Sequence, residues 1–115
     1  NILLNSGIKE RDYVYVDDVV DAFLLAKDKK FEFQNVTINL GGGVSYALIE
    51  IVKKIISIAK SRSKILIGKL SDRPMEADKW LLDNSKALKL LGWRPKTSID
   101  NGLTKTVSYY RKYNL

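Results

Sequence analysis

The sequence contains no cysteine and no histidine. Without cysteine there is no disulfide scaffold, no thiolate metal ligand and no cysteine nucleophile. Without histidine there is no Ser-His-Asp relay, no imidazole general base and no histidine metal site. Hydrolytic or metal chemistry would have to run on carboxylates, lysines and tyrosines. Long apolar runs are also missing: none approaches the roughly 18 to 20 residues that span a bilayer, and no secretory pattern opens the chain. These absences read as a soluble, cytoplasmic protein with no membrane partner.

What is present is enough for one domain. At 115 residues with 45% hydrophobic content, the chain predicts a single compact domain with a core of its own. The formal charge is +7. Lys27, Lys29 and Lys30 form one basic cluster, and Lys53, Lys54, Lys60, Arg62 and Lys64 another. A positive balance attracts anions, whether nucleic acid, phosphate or acidic partners. Most of these lysines fall in turns or on polar helix faces, where solvation is the simpler account.

The first segment, "NILLNSG", starts inside an apolar stretch without methionine or cap, as if cut from a longer polypeptide. Residues 13–16 alternate as in a strand. Asp17 or Asp18 can cap a following helix whose Val19, Val20, Phe23 and Leu24 form an apolar stripe to be buried. "VTINL" (residues 36–40) is rich in β-formers and is broken by Gly41, Gly42 and Gly43. Ser45 could then cap a helix over about residues 46–60, with Leu48, Ile49, Val52, Ile55, Ile56 and Ala59 on its apolar face. "KILIGKL" (residues 64–70) reads as a third strand. Asp83 or Asn84 opens a short helix that Gly92 stops, and Ser98 caps a last helix carrying Ile99, Leu103, Val107 and Tyr110. The fold class is α/β.

Strand, glycine turn and helix N-terminus is a geometry that can present backbone N–H groups to phosphate. Yet "NLGGGVSYALIE" has neither G-x-G-x-x-G nor G-x-x-x-x-G-K-[ST], and a tight turn is the favoured reading. A tyrosine base of the short-chain dehydrogenase type needs a lysine four residues later. None of the six tyrosines has one: the residues four beyond Tyr13, Tyr15, Tyr46, Tyr109 and Tyr110 are Asp17, Val19, Glu50, Tyr113 and Asn114, and the chain ends before that position for Tyr113. Two arginines remain, Arg11 ahead of the first strand and Arg73 in a polar loop. Guanidinium groups recognise phosphate oxygens in bidentate fashion, and two converging from separate segments would clamp a diphosphate. On composition alone a surface role is the favoured reading for each.

Four blocks in order, "SGIKERDYVYVDDVVDAF", "VTINLGGGVSYALIEIVKKI", "DRPMEADKWLLDNSKALKLLGWRPKTS" and "IDNGLTKTVSYYRKY", cover nearly the whole chain. Together they resemble the C-terminal, substrate-binding part of the extended short-chain dehydrogenase/reductase family, the NAD-dependent epimerases and dehydratases of nucleotide sugars. The resemblance implies a small C-terminal substrate-binding domain, residues 1–115, that normally accompanies a Rossmann-type NAD-binding domain absent from this chain. It implies four substrate-binding residues. Arg11 matches the arginine facing the substrate diphosphate, and Arg73, ten residues before Asp83 of "DNSKA", matches a second one. Asn39 matches a polar position near the sugar nucleotide, and Glu76 falls where relatives place a polar or acidic group near the ribose hydroxyls. Asp12, Asp17 and Asp18 match positions that fix the local turn. Asp83, Ser85, Lys86, Gly92, Trp93 and Pro95 match structural positions.

The glycine-rich nicotinamide loop and the Tyr-x-x-x-Lys pair of that family have no counterpart here. "VTINL" also lacks the tyrosine that often precedes the asparagine. The implied full-length enzyme uses NAD or NADP: the cofactor oxidises the sugar at C4, a tyrosinate takes the hydroxyl proton, and reduction or elimination follows. This chain alone is expected to bind no cofactor and to hold no catalytic residue, its role being to position a nucleotide-diphosphate sugar. The resemblance leaves a homodimer of the full-length enzyme open. The competing readings are a basic nucleic-acid-binding module, which the interleaved Asp17, Asp18, Asp21, Asp72, Glu76 and Asp78 argue against, and a non-catalytic interaction piece.

Overall fold

The computed structural model describes residues 1–29 and 35–113. Lys30 and Asn114 lie outside the described residues. Among the described residues, four helices and two small two-stranded sheets follow in the order β1 (Ile2–Leu3), β2 (Glu10–Asp12), α1 (Val16–Lys27), β3 (Ser45–Ala47), α2 (Leu48–Ala59), β4 (Ile65–Leu66), α3 (Ser85–Leu91) and α4 (Ile99–Lys112). β1 and β4 run parallel with Ile2 opposite Ile65, and β2 and β3 run antiparallel with Arg11 opposite Tyr46. The α/β class is as expected, but the strands are short and placed differently.

The strand expected over residues 13–16 is instead β2, Glu10–Asp12, because its partner β3 offers only three residues and the ladder ends at Asp12. The alternation over residues 13–15 reports burial instead: Val14 packs on the core cluster, and the Tyr15 ring lies against Gly102, where an added Cβ would come within 3.3 Å of it. Helix α1 begins at Val16 behind Tyr15, so neither Asp17 nor Asp18 is its cap; both stand in the first turn, where the helix dipole favours negative charge. Residues 36–40 form no ladder among the described residues. Their β-like pattern places Ile38 and Leu40 on the core cluster. β4 covers only Ile65–Leu66, after which the chain turns back so that the N–H groups of Gly68 and Lys69 reach the carbonyls of Asn5 and Leu4, each at 3.0 Å.

Ser45 is not a cap either. It is a strand residue, and α2 starts three residues beyond it, behind Ala47, whose N–H the Glu50 carboxylate accepts at 2.9 Å. Lys60, left-handed at φ 49°, ends that helix. The residues expected on the apolar face of α2 are half-buried, whereas the buried member of the helix, Ile51, lies outside that expected set. Gly92 stops α3 at φ 69°, and the Ser98 hydroxyl accepts the Asn101 N–H at 3.3 Å to cap α4.

The core cluster is small: Ala22, Ala87, Leu91 and Trp93, which ties α1 to α3. Asp18, 4% exposed, supports it from the first turn of α1. Its carboxylate accepts the N–H groups of Lys96 (3.2 Å) and Thr97 (2.9 Å) and the Thr97 hydroxyl (3.1 Å), while its main-chain carbonyl accepts the Trp93 indole N–H at 2.7 Å. One side chain thereby satisfies a whole turn that would otherwise hold unpaired donors.

The expected burial of the α1 stripe is not met. The buried members of α1 are Asp18 and Ala22, four residues apart, while Val20, Phe23 and Leu24 are 48, 70 and 57% exposed. Trp80, Leu81 and Leu82 add further exposed apolar surface. The molecule is a slab of 50 × 38 × 19 Å with a radius of gyration of 16.8 Å, where a compact chain of this length would have about 13 Å. A slab this thin cannot cover both faces of its helices, so the predicted compact domain is open on the α1 side.

Candidate functional site

Glu76 is the centre of the expected site. Its Oε1 accepts a hydrogen bond from Arg11 Nη2, and its Oε2 lies 3.5 Å from Lys9 Nζ. Lys9 Nζ also donates to the Glu76 main-chain carbonyl at 3.1 Å. The hydrogen bond from Arg11, reinforced by the positive charges of Arg11 and Lys9, holds the Glu76 carboxyl below its ordinary value.

Arg11 is anchored on its other side by the strand that carries it. Nη1 donates to the carbonyls of Glu10 (2.6 Å) and Ala77 (3.1 Å), and the guanidinium stacks on the Trp80 ring with 5.2 Å to its centroid. The strand and the loop are joined in main chain too: the Trp80 N–H donates to the Glu10 carbonyl and the Glu10 N–H to that of Asp78. Glu10 itself accepts from the Ser45 hydroxyl at 2.5 Å and pairs with Lys79 at 2.9 Å, which together lower its carboxyl. Burial raises the Tyr13 phenol, against the opposing charge of Arg11.

Arg73 is exposed, and among the described residues its guanidinium makes no hydrogen bond or ion pair. With Glu76 it lines a cavity of about 380 Å³ whose other walls include Leu3, Leu4, Asn5 and Leu48. The structure therefore brings three of the four expected residues together through Glu76. Asn39 is not among them. It is exposed between Ile38 and Leu40, and no hydrogen bond joins it to Arg11, Arg73 or Glu76 among the described residues.

The triple glycine is a turn built around Asp12. The Gly42 N–H donates to Asp12 Oδ1 at 2.5 Å, those of Gly43 (3.4 Å) and Leu82 (3.1 Å) go to Oδ2, and Gly41 exchanges hydrogen bonds of 2.8 and 2.9 Å with the Asn84 amide. A Cβ on Gly42 would overlap the Tyr13 carbonyl oxygen, so the main chains can meet only there without a side chain. With its N–H groups already taken, this turn offers no cradle to a dinucleotide pyrophosphate. Asp83 caps the neighbouring Ser85 N–H at 2.8 Å, which lowers its carboxyl.

Lys9 and Trp80 were not singled out by the sequence. Lys9 had a signal, since it stands two residues before Arg11 and strand spacing puts both on one side. Trp80, in a loop without periodicity, had none. The second basic cluster is interrupted in space by a 2.6 Å pair of Lys54 with Asp100. No helix among the described residues is long and apolar enough to cross a membrane, and no group of metal-ligating side chains occurs among them.

The sequence matches a family model described as GDP-mannose 4,6 dehydratase over residues 2–106. The chain belongs to the GDP-mannose 4,6-dehydratase family. It is thus a member of the NAD-dependent epimerases and dehydratases within the extended short-chain dehydrogenase/reductases. The dTDP-D-glucose 4,6-dehydratase of Mus musculus is 32% identical over 114 residues, covering 93% of this chain and 31% of the relative. The UDP-glucose 4-epimerase of Mycolicibacterium smegmatis is 33% identical over 111 residues, covering 95% and 34%. Among solved structures, the Thermotoga maritima UDP-glucose 4-epimerase with UDP-glucose superposes with a TM-score of 0.86 at 34% identity, covering all of this chain and 36% of that one. The Bacillus cereus UDP-glucuronic acid 4-epimerase in complex with UDP-glucuronic acid and NAD gives 0.84 at 25% identity, covering 97% and 35%. This family member thus spans about a third of the length of the relatives it matches.

Proposed function

We propose that this chain is the nucleotide-sugar-binding portion of an NAD-dependent epimerase or dehydratase, holding the substrate diphosphate between Arg11 and Arg73. The observation that carries the reading is the placement of both arginines beside Glu76: Arg11 is paired with it, and Arg73 lines a cavity with it and makes no side-chain hydrogen bond or ion pair among the described residues. Planar guanidinium donors suit diphosphate oxygens, and the apolar walls supplied by Leu3, Leu4 and Leu48 suit the remainder of a nucleotide. Family membership and two neighbours whose structures hold UDP-glucose or UDP-glucuronic acid support the same ligand class.

The residues present do not fit NAD. The triple-glycine turn has its N–H groups committed to Asp12 and Asn84, and no Tyr-x-x-x-Lys pair occurs. The cofactor and the hydride chemistry therefore belong to a Rossmann-type NAD-binding domain of a longer polypeptide, which would pack on this chain. What this chain contributes is orientation: fixing the diphosphate confines the sugar to one region and lowers the entropic cost of reaching the reactive geometry.

In the full-length protein, Arg73→Ala and Arg11→Ala should each weaken UDP- or dTDP-sugar binding by about tenfold, measured by calorimetry, with NAD affinity unchanged. Unaltered sugar-nucleotide affinity in both variants would refute the assignment.

A further inference from the structure

We propose that Lys9 is a positioning residue of this site, providing a second seat for the Glu76 carboxylate when an anionic ligand takes Arg11. The proposal rests on the reading of the cavity as a diphosphate site. In the structure Glu76 occupies the edge of Arg11 that a phosphate would need. Arg11 does not depend on Glu76 for its place, because its Nη1 protons are held by two main-chain carbonyls and its face by Trp80. The carboxylate can therefore leave while the guanidinium stays.

Where the carboxylate goes decides whether the exchange is favourable. Left facing the cavity, it would stand beside the incoming anion, and like charges at a few ångströms repel. Lys9 Nζ is 3.5 Å from Oε2, inside ion-pair range but longer than the roughly 2.7 to 2.9 Å of a closed N–H⁺···O⁻ hydrogen bond. The contact can tighten. Lys9 is also tethered to the main-chain carbonyl of residue 76 at 3.1 Å, which keeps the ammonium next to the carboxylate whichever way that side chain turns. An ammonium has three protons and this tether uses one. Charge balance agrees: Lys9, Arg11 and Arg73 against Glu76 leave two positive charges, matching a doubly charged diphosphate diester.

The test uses inorganic pyrophosphate, which has no ribose to confuse the role of Glu76, titrated calorimetrically into the full-length protein with its dinucleotide site saturated. Glu76→Gln should tighten pyrophosphate about fivefold by vacating Arg11, and Lys9→Gln should weaken it about fivefold by stranding the carboxylate there. In the Glu76→Gln background, Lys9→Gln should have less than about a twofold effect, and Lys9→Arg should restore the wild-type affinity. Equal weakening by Lys9→Gln in both backgrounds would mean that Lys9 simply attracts the anion, and would overturn the proposal. So would a Glu76→Gln variant that binds no more tightly. Arg73→Ala separates the two failures. If it leaves pyrophosphate affinity unchanged, the diphosphate reading falls and the second seat with it; if it weakens binding while the coupling is absent, only the second seat falls.

Discussion

Replacing Asp18 with alanine should be among the most damaging single changes to this protein, and replacing it with asparagine among the milder ones at a buried charge. The carboxylate accepts three hydrogen bonds, two from main-chain N–H groups and one from a hydroxyl. Hydrogen bonds to an ionised acceptor contribute about 1.5 to 3 kcal/mol each, and an orphaned donor costs its desolvation. Lys96 is exposed and Thr97 half-buried, so water can partly replace what is lost, which puts each N–H at the lower end. Two N–H groups at about 1.5 kcal/mol and a hydroxyl at about 0.5 kcal/mol give a loss of about 3 to 4 kcal/mol. Asparagine can turn its oxygen to both N–H groups and donate its amide to the Thr97 hydroxyl, so Asp18→Asn forfeits only charge assistance and part of the dipole interaction, about 1 kcal/mol. Urea denaturation followed by the fluorescence of Trp93, whose indole sits on the Asp18 carbonyl, measures both variants, in a Trp80→Phe background to isolate the signal. Equal losses for the two variants would show that the charge, not the hydrogen-bond geometry, matters, and a loss below about 1 kcal/mol for Asp18→Ala would show that water takes over the turn without penalty.

The glycine turn gives a ranked pair: Gly42→Ala should cost about 3 kcal/mol or more because its Cβ meets main chain, whereas Gly43→Ala, at φ 81° with 3.9 Å to its nearest neighbour, should cost only the left-handed penalty of about 1 to 2 kcal/mol. Denaturation midpoints in the reverse order would refute the packing account. Stability should fall on acidification, since Glu76, Glu10 and Asp83 all have folded-state values below their ordinary 4.5, 4.5 and 3.8. For a depressed carboxyl the stabilisation is complete above the ordinary value and is lost as pH drops through the folded one. Glu76→Gln should therefore flatten the acid limb of a stability-versus-pH curve, and an unchanged slope would contradict the pairing with Arg11.

Local chemistry was legible in the sequence; partnership was not. The Ser98 cap and the Gly92 stop follow from contacts within a few residues, so spacing alone finds them. Alternation over residues 13–16 and 36–40 predicts ladder, whereas it records side chains, Val14, Ile38 and Leu40, that reach the Trp93 cluster. Period two signals one buried face, and only a partner strand turns that into a sheet. The stripe of α1 was misjudged for a related reason: amphipathicity says a face prefers cover but does not supply the layer that covers it. At the site, the resemblance marked Arg11, Arg73 and Glu76 separately. Their meeting depends on the Glu10–Lys79 bridge and on a loop whose residues carry no periodic pattern. Asn39 shows the converse, a motif position with no hydrogen bond to Arg11, Arg73 or Glu76 among the described residues.

The adjacency of Arg11 and Asp12 has a consequence for how the chain finds its fold. Neighbouring strand residues point to opposite sides, so the cation meets Glu76 and Trp80 while the anion meets the N–H groups of Gly42, Gly43 and Leu82. A slip of one residue between β2 and β3 would turn both over at once, setting a carboxylate against Glu76 and a guanidinium against a nest of N–H donors. Each misplacement is repulsive on its own, and they cannot occur separately. Two residues of opposite sign thus act as a polarised key that enters its lock in one orientation, proofreading the pairing of a strand too short to be specified by its hydrophobic pattern.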